Sequence, residues 1–167
     1  MTTAGDRVFN ANGLLTWNRA TLPERMATSI QGIATRLTRN GFDGSIVFEA
    51  HLGRFKIVEE NGDFRLATNA DAQNPVLAAA IHEMSAEYAI GLGQRHAKSV
   101  RDAFTVQGIN SENLSAESHG VSRDLVPYPL DVGDVEKWNA IAAQNNRVLL
   151  RLIPREGPEI STPVEKL

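Results

Sequence analysis

The fold is limited most strongly by the alternation, along the chain, of segments with strand-like and helix-like spacing of apolar residues. Strand-like runs, rich in β-branched or aromatic residues or alternating in polarity, occupy residues 7–17, 45–51, 113–118 and 147–153. Helix-like segments, with apolar residues every three or four positions, occupy residues 23–40 and 85–107, and a third begins at Asp134. This alternation predicts a two-layer α/β (α+β) sandwich, with a sheet of about four strands and three helices on one face.

A β-hairpin is predicted within residues 55–68, because Asn61-Gly62 is a strong two-residue turn signal. Pairing outward from the turn sets Glu60 opposite Asp63 and Glu59 opposite Phe64. One face of the hairpin is apolar and is formed by Phe55, Ile57, Phe64 and Leu66. An isolated hairpin is marginal in water, so this face must pack on the domain or on a partner.

Composition excludes several classes of protein. The 167 residues are 42% apolar, which suits one hydrophobic core, and the net charge of -3 argues against nucleic-acid binding. Cysteine is absent, so disulfides and thiolate zinc sites are excluded. Apolar runs are too short to span a membrane. Residues 1–153 are predicted to form a single domain, followed by a loose tail at 154–167.

Three segments together resemble a known family. They are Glu87-Tyr-Ala-Ile-Gly-Leu-Gly-Gln-Arg-His-Ala-Lys-Ser-Val100, Gly108-Ile-Asn-Ser-Glu-Asn-Leu-Ser115 and Asn145-Asn-Arg-Val148. In order and spacing they are similar to the OmpA-like domain of OmpA, peptidoglycan-associated lipoproteins and MotB-type stators, over roughly residues 8–153. The resemblance implies a non-enzymatic domain of the periplasm or cell envelope that anchors a protein or complex to peptidoglycan.

The resemblance also implies where a ligand would bind. Family members hold the zwitterionic end of a diaminopimelate side chain with an arginine and an aspartate, and the aspartate ends a Gly-His-Thr-Asp signature. Here Glu49-Ala-His-Leu-Gly53 stands at that signature, and only His51 matches. The aspartate position falls on Gly53, the arginine position on His96 and a supporting asparagine position on Ala89. These departures predict that peptidoglycan binding is weakened or lost.

A second alignment of the signature remains open. Asn69-Ala-Asp71 resembles the His-Ala-Asp form of the lipoprotein branch and would give Asp71 the ammonium-binding role. The missing guanidinium could then come from Arg54 or Arg95. Arg147 is equally consistent with a binding role and with an ordinary strand position. The candidate ligand-binding residues are therefore His51, Gly53, Arg54, Asp71, Arg95, His96 and Arg147.

Residues 52–86 are predicted to be an insertion, because family members usually join the signature to the next helix by a short loop. Two hypotheses follow. In the first, the domain binds the peptidoglycan stem peptide. In the second, the scaffold has lost that site and serves protein–protein assembly in a secretion or motor complex, with the apolar hairpin face as the partner-binding surface.

Catalytic and metal sites are not favoured by the sequence. His51, His96 and His119 fall at strand ends or near a helix start and could converge, with Glu49 or Glu117 completing a metal site. The chain nevertheless has no His-Glu-x-x-His motif, no Gly-rich phosphate loop and no Gly-x-Ser-x-Gly elbow. We therefore expect no enzymatic activity, no bound metal and no cofactor.

Overall fold

The computed structural model describes the backbone of residues 7–9, and residues 22–121, 123–130 and 133–155 in full. The described elements are, in chain order, β1 (Arg7–Phe9), α1 (Glu24–Arg39), β2 (Gly44–His51), β3 (Lys56–Glu60), β4 (Asp63–Leu66), α2 (Asn69–Gln73), α3 (Pro75–Ala78), β5 (His82–Glu83), α4 (Ala86–Val106), β6 (Leu114–Ser118), α5 (Val135–Asn145) and β7 (Arg147–Pro154). The fold is mixed α/β with two small sheets, which confirms the predicted fold class.

The larger sheet has the strand order β1-β7-β2-β6. Strand β6 runs parallel to β2, whereas β7 is antiparallel to both β2 and β1. Three of the four predicted strands are confirmed to within one residue at each end. The fourth is described only at Arg7–Phe9, and residues 10–17 lie outside the described part of the chain. Strand β7 includes Pro154, so the predicted tail starts one residue too early.

The smaller sheet contains the predicted hairpin. Strands β3 and β4 pair with Glu60 opposite Asp63 and Glu59 opposite Phe64, as expected from the turn. Asn61 and Gly62 both have positive φ, 55° and 79°, as a type I′ turn requires. Strand β5, which the sequence did not reveal, pairs with the other edge of β3 and extends the hairpin to three strands.

Helices α1 and α4 begin and end within one residue of their predicted bounds, and α5 begins directly after Asp134, as predicted. The Ser85 side chain caps α4 by accepting from the Tyr88 N–H, and Asp134 caps α5 by accepting from the Lys137 N–H. Helix α4 packs on β2 and β6, and α1 packs on α4. Helix α5, expected with the others on the main sheet, contacts β3 of the second sheet and α2. None of the described helices is long and apolar enough to cross a bilayer.

The apolar hairpin face packs into this chain's own core. Phe55 and Ile57 are each only 2% exposed, and Phe64 and Leu66 are partly buried against the same cluster. The hypothesis that these four side chains form an exposed partner-binding surface is therefore corrected, because the core of the domain already covers them. The second sheet instead forms one continuous hydrophobic core with α4 and β2.

Candidate functional site

Three strands place polar side chains on one face of the main sheet. Ile46, Phe48 and Ala50 point into the core, so the period of two turns Glu49 and His51 to the opposite face. The register sets Glu49 opposite Glu117 of β6, and His51 opposite Arg147 of β7. Strand pairing thereby places side by side residues that are about 70 to 100 positions apart in the sequence.

Glu49, His51 and His119 form a compact cluster on this face. The Glu49 Oε2 lies 3.9 Å from the His51 Nε2, and the Glu49 Oε1 lies 3.9 Å from the His119 Nε2. The two imidazole rings stack with centroids 4.9 Å apart and planes 10° apart. Glu117 approaches from the rim, with its Oε2 3.7 Å from the His119 Nε2. We call Glu49, His51 and His119 the Glu-His-His cluster.

The electrostatics of the cluster keep His51 neutral. Burial is the main cause that lowers its pKa to about 4, and electrostatic interactions with Arg147, His119, Arg123 and Arg151 act in the same direction. Arg151 forms an ion pair with Glu49. His51 is 1% exposed, and neither of its ring nitrogens has a hydrogen-bond partner among the described residues.

Arg147 is a buried strand residue. Its guanidinium donates to the backbone carbonyls of Arg123 and Asn145, at 3.0 Å and 2.9 Å. Burial, followed by the charge of Arg123, lowers its pKa from the usual arginine value. These contacts tie β7 to the segment before α5 and to the last residue of α5.

Gly53, which the resemblance aligns with the family aspartate, has no room for a side chain. A Cβ built on it would collide with the backbone carbonyl of Ala142 in α5. Helix α5 therefore packs directly against the backbone of Gly53. An aspartate at this position would require α5 to move.

Arg54 extends from the same strand end into an aromatic cluster. Its guanidinium lies 3.3 Å from the Asp124 carboxylate and 5.8 Å from the centre of the Tyr128 ring. The Tyr128 hydroxyl accepts from the Arg54 N–H, and the Trp138 indole donates to the Arg54 carbonyl at 2.6 Å. Arg54 is exposed but already paired with Asp124.

Asp71 has a structural role at the start of α2. Its carboxylate accepts two hydrogen bonds from the Arg65 guanidinium, at 2.7 Å and 2.9 Å, and further bonds from the Thr68 N–H and hydroxyl. Hydrogen bonding to Arg65 is the main reason that its pKa lies well below the usual range. These bonds occupy the carboxylate that the second alignment assigns to an ammonium group.

The helix positions that the resemblance assigns to the ligand cleft are divided between core and surface. His96 is 1% exposed and Ala89 is fully buried, so both are core residues. The Leu52 side chain lies against Gly93 on the same helix. Arg95, by contrast, is exposed and lines a shallow depression together with Ser85, Glu87, Tyr88 and Gly91.

The structure thus distributes the candidate residues over five places. His51 and Arg147 share the polar face of the sheet, and Gly53 and Arg54 lie at the end of β2. His96 lies in the core, Arg95 lies on the exposed side of α4, and Asp71 belongs to the capping box of α2. Sequence reasoning missed Arg151, whose signal was its alternation with Arg147 and Leu149 in the last strand. It also missed Asp124, Tyr128 and Trp138, which no local pattern connects to Arg54.

Comparisons with known proteins identify the fold class. No protein-family model matches the sequence, and no characterised protein matches it significantly. Among solved structures, the cell wall anchor of the T6SS from Pseudomonas aeruginosa is similar with a TM-score of 0.57 and 15% identity, covering 90% of this chain and 81% of that chain. The periplasmic domain of Helicobacter pylori MotB (residues 90–256) also gives 0.57 at 15% identity, covering 90% and 74%.

A third similar structure is the peptidoglycan-associated lipoprotein from Burkholderia pseudomallei, with a TM-score of 0.52 and 18% identity over 84% of this chain and 87% of that chain. An OmpA-like domain of FopA1 from Francisella tularensis is also similar in fold. The chain therefore has the fold of an OmpA-like domain.

Proposed function

We propose that this chain is a non-enzymatic domain of the bacterial cell envelope that anchors an envelope protein or complex to the cell wall. Solved structures of the same fold are described as a peptidoglycan-associated lipoprotein and as a cell wall anchor of a secretion system. Another is a periplasmic domain of MotB. These likenesses support a periplasmic location and an anchoring role for this chain.

The stem peptide is proposed to bind at the start of α4 instead of at the end of β2. The single observation that carries this placement is the depression lined by Glu87 and Arg95, which presents opposite charges to one opening. Arg95 can bind the carboxylate of a zwitterionic end group, and Glu87 can accept from its ammonium. At the end of β2, Gly53 has no side chain to offer, and Arg54 is held by Asp124.

The experiment is co-sedimentation of the purified domain with peptidoglycan sacculi at neutral pH. Arg95→Ala should reduce the bound fraction several-fold. Lys98→Ala is the matched control, because Lys98 is an exposed cation one turn further along the same helix and pairs with Asp102 outside the depression. Equal binding by the wild type and Arg95→Ala would contradict the proposed placement.

A second candidate function is protein–protein assembly by a scaffold that has lost wall binding. It is favoured by the closure of Gly53 against Ala142 and by the burial of His96 and Ala89. Failure of the wild-type domain to co-sediment with sacculi would support it. Sedimentation of the wild type therefore distinguishes the two functions, whereas Arg95→Ala tests only where the stem peptide binds.

A further inference from the structure

Contrary to the expectation from the sequence, we propose that Glu49, His51 and His119 bind a divalent transition-metal ion of the zinc type. The Glu-His-His cluster offers two imidazoles and one carboxylate, the donor set of many three-ligand zinc sites. One ligand atom from each residue lies within 4.8 Å of the other two. Ligands about 2.1 Å from a tetrahedral zinc ion are about 3.4 Å apart, so small side-chain rotations would bring the three donors together.

The strongest observation is the unpartnered imidazole of His51. Its side chain is 1% exposed, and both ring nitrogens lack a hydrogen bond among the described residues. A polar group buried without a partner is costly and calls for an explanation. A metal ion held between His51 and Glu49 would give the ring the partner that the protein does not supply.

The cluster is reached from solvent through His119. The His119 side chain is 38% exposed, and the Glu117 carboxylate is 53% exposed beside it. His119 therefore has the freedom to turn its ring out of the stack with His51 and toward a metal ion. Glu117 lies close enough to provide a fourth ligand at the rim.

Arg151 is the competitor of the metal ion. Its guanidinium forms an ion pair with the Glu49 carboxylate, which the metal ion would have to take over. The Arg151 side chain is 48% exposed, so it can move into solvent when it is displaced. Arg123 and Arg147 add positive charge near His51 and also oppose a cation. These opposing positive charges predict that the affinity of the cluster for the metal ion rises when the Arg151 side chain is replaced.

The test is titration of metal-stripped protein with Zn²⁺ alone, followed by calorimetry and by competition with a chromogenic chelator. The wild type should bind one ion per chain, and His119→Ala should weaken binding about tenfold or more. Arg151→Gln should bind more tightly than the wild type, because Glu49 is then released from its ion pair. His82→Ala is the matched control, since His82 is exposed and lies on the second sheet.

Circular dichroism of each variant confirms that it is folded, and the absorption spectrum of Co²⁺-loaded protein reports on nitrogen ligation. Binding that is unchanged in His119→Ala would overturn the proposal. So would the absence of saturable binding in both the wild type and Arg151→Gln. Neither result bears on binding to sacculi, because Arg95 lies on α4, away from the polar face of the sheet.

Discussion

The side-chain amide of Asn139 forms a closed pair of hydrogen bonds with the backbone of Lys56. The Asn139 Oδ1 accepts from the Lys56 N–H at 2.8 Å, and the Asn139 Nδ2 donates to the Lys56 carbonyl at 3.0 Å. The same Nδ2 donates to the Ala67 carbonyl at 3.1 Å. A single side chain of α5 thus satisfies backbone groups of the second sheet and joins the sheet to the helix.

Asn139→Ala should destabilise the domain by about 2 to 4 kcal/mol, because it leaves buried backbone groups without partners. Urea unfolding followed by circular dichroism measures the change. Gln144→Ala, at an exposed position of the same helix, is the control and should have little effect. Equal stability of the two variants would show that the Asn139 bonds do not hold α5 to the sheet.

Gly53→Ala should destabilise the domain by several kcal/mol, because its Cβ would collide with the Ala142 carbonyl and force α5 away. Gly32→Ala is the opposite case. Gly32 lies within α1 and the position of an alanine Cβ there is open, so alanine should stabilise by about 0.5 to 1 kcal/mol. Thermal unfolding should show a lower melting temperature for Gly53→Ala and a higher one for Gly32→Ala than for the wild type. Unchanged stability of Gly53→Ala would mean that α5 can shift to make room for a side chain.

The Asp71–Arg65 pair should contribute a defined part of the pH dependence of stability. The folded-state pKa of Asp71 is lowered, mainly by hydrogen bonds from Arg65, so the unfolded chain binds the proton more tightly. The contribution is therefore complete above the unfolded value of about 3.9 and is lost as the pH falls below it toward the folded-state pKa. Asp71→Asn should be less stable than the wild type at pH 7, and the difference should shrink toward pH 3.

Urea midpoints measured from pH 7 to pH 3 check this convergence. Glu112→Gln, at an exposed position in the turn before β6, serves as the control. A constant difference between Asp71→Asn and the wild type over the whole range would exclude the ionised pair as the cause.

Phe64→Asp should lower thermal stability, by about 1 to 3 kcal/mol at the midpoint temperature. The Phe64 ring packs edge-on against Tyr88, with centroids 5.6 Å apart, and against His82 at 6.0 Å. Val76→Asp is the control, because Val76 is 79% exposed. Unchanged melting of Phe64→Asp would mean that the hairpin does not depend on packing against α4.

The sequence by itself determined the local elements of this protein. The run Ser45–His51 formed a strand, and the Asn61-Gly62 turn set the hairpin register correctly, because both depend on interactions between near neighbours. Ser85 and Asp134 marked helix starts for the same reason, since a capping side chain bonds to a backbone N–H within three residues. The three motif segments together indicated an OmpA-like fold, which the structure confirms.

Only the tertiary structure decided the chemistry of the candidate sites. In the sequence, Gly53 stands where the resemblance expects an aspartate. That Ala142 leaves no room for a side chain there depends on a helix almost ninety residues away. Strand β5 was too short to carry a pattern of its own. The pairing of β2 with β6 in one register brings together Glu49, His51 and His119. Strand pairing and burial join residues that are distant along the chain, whereas sequence periodicity reports only on each segment's own neighbours.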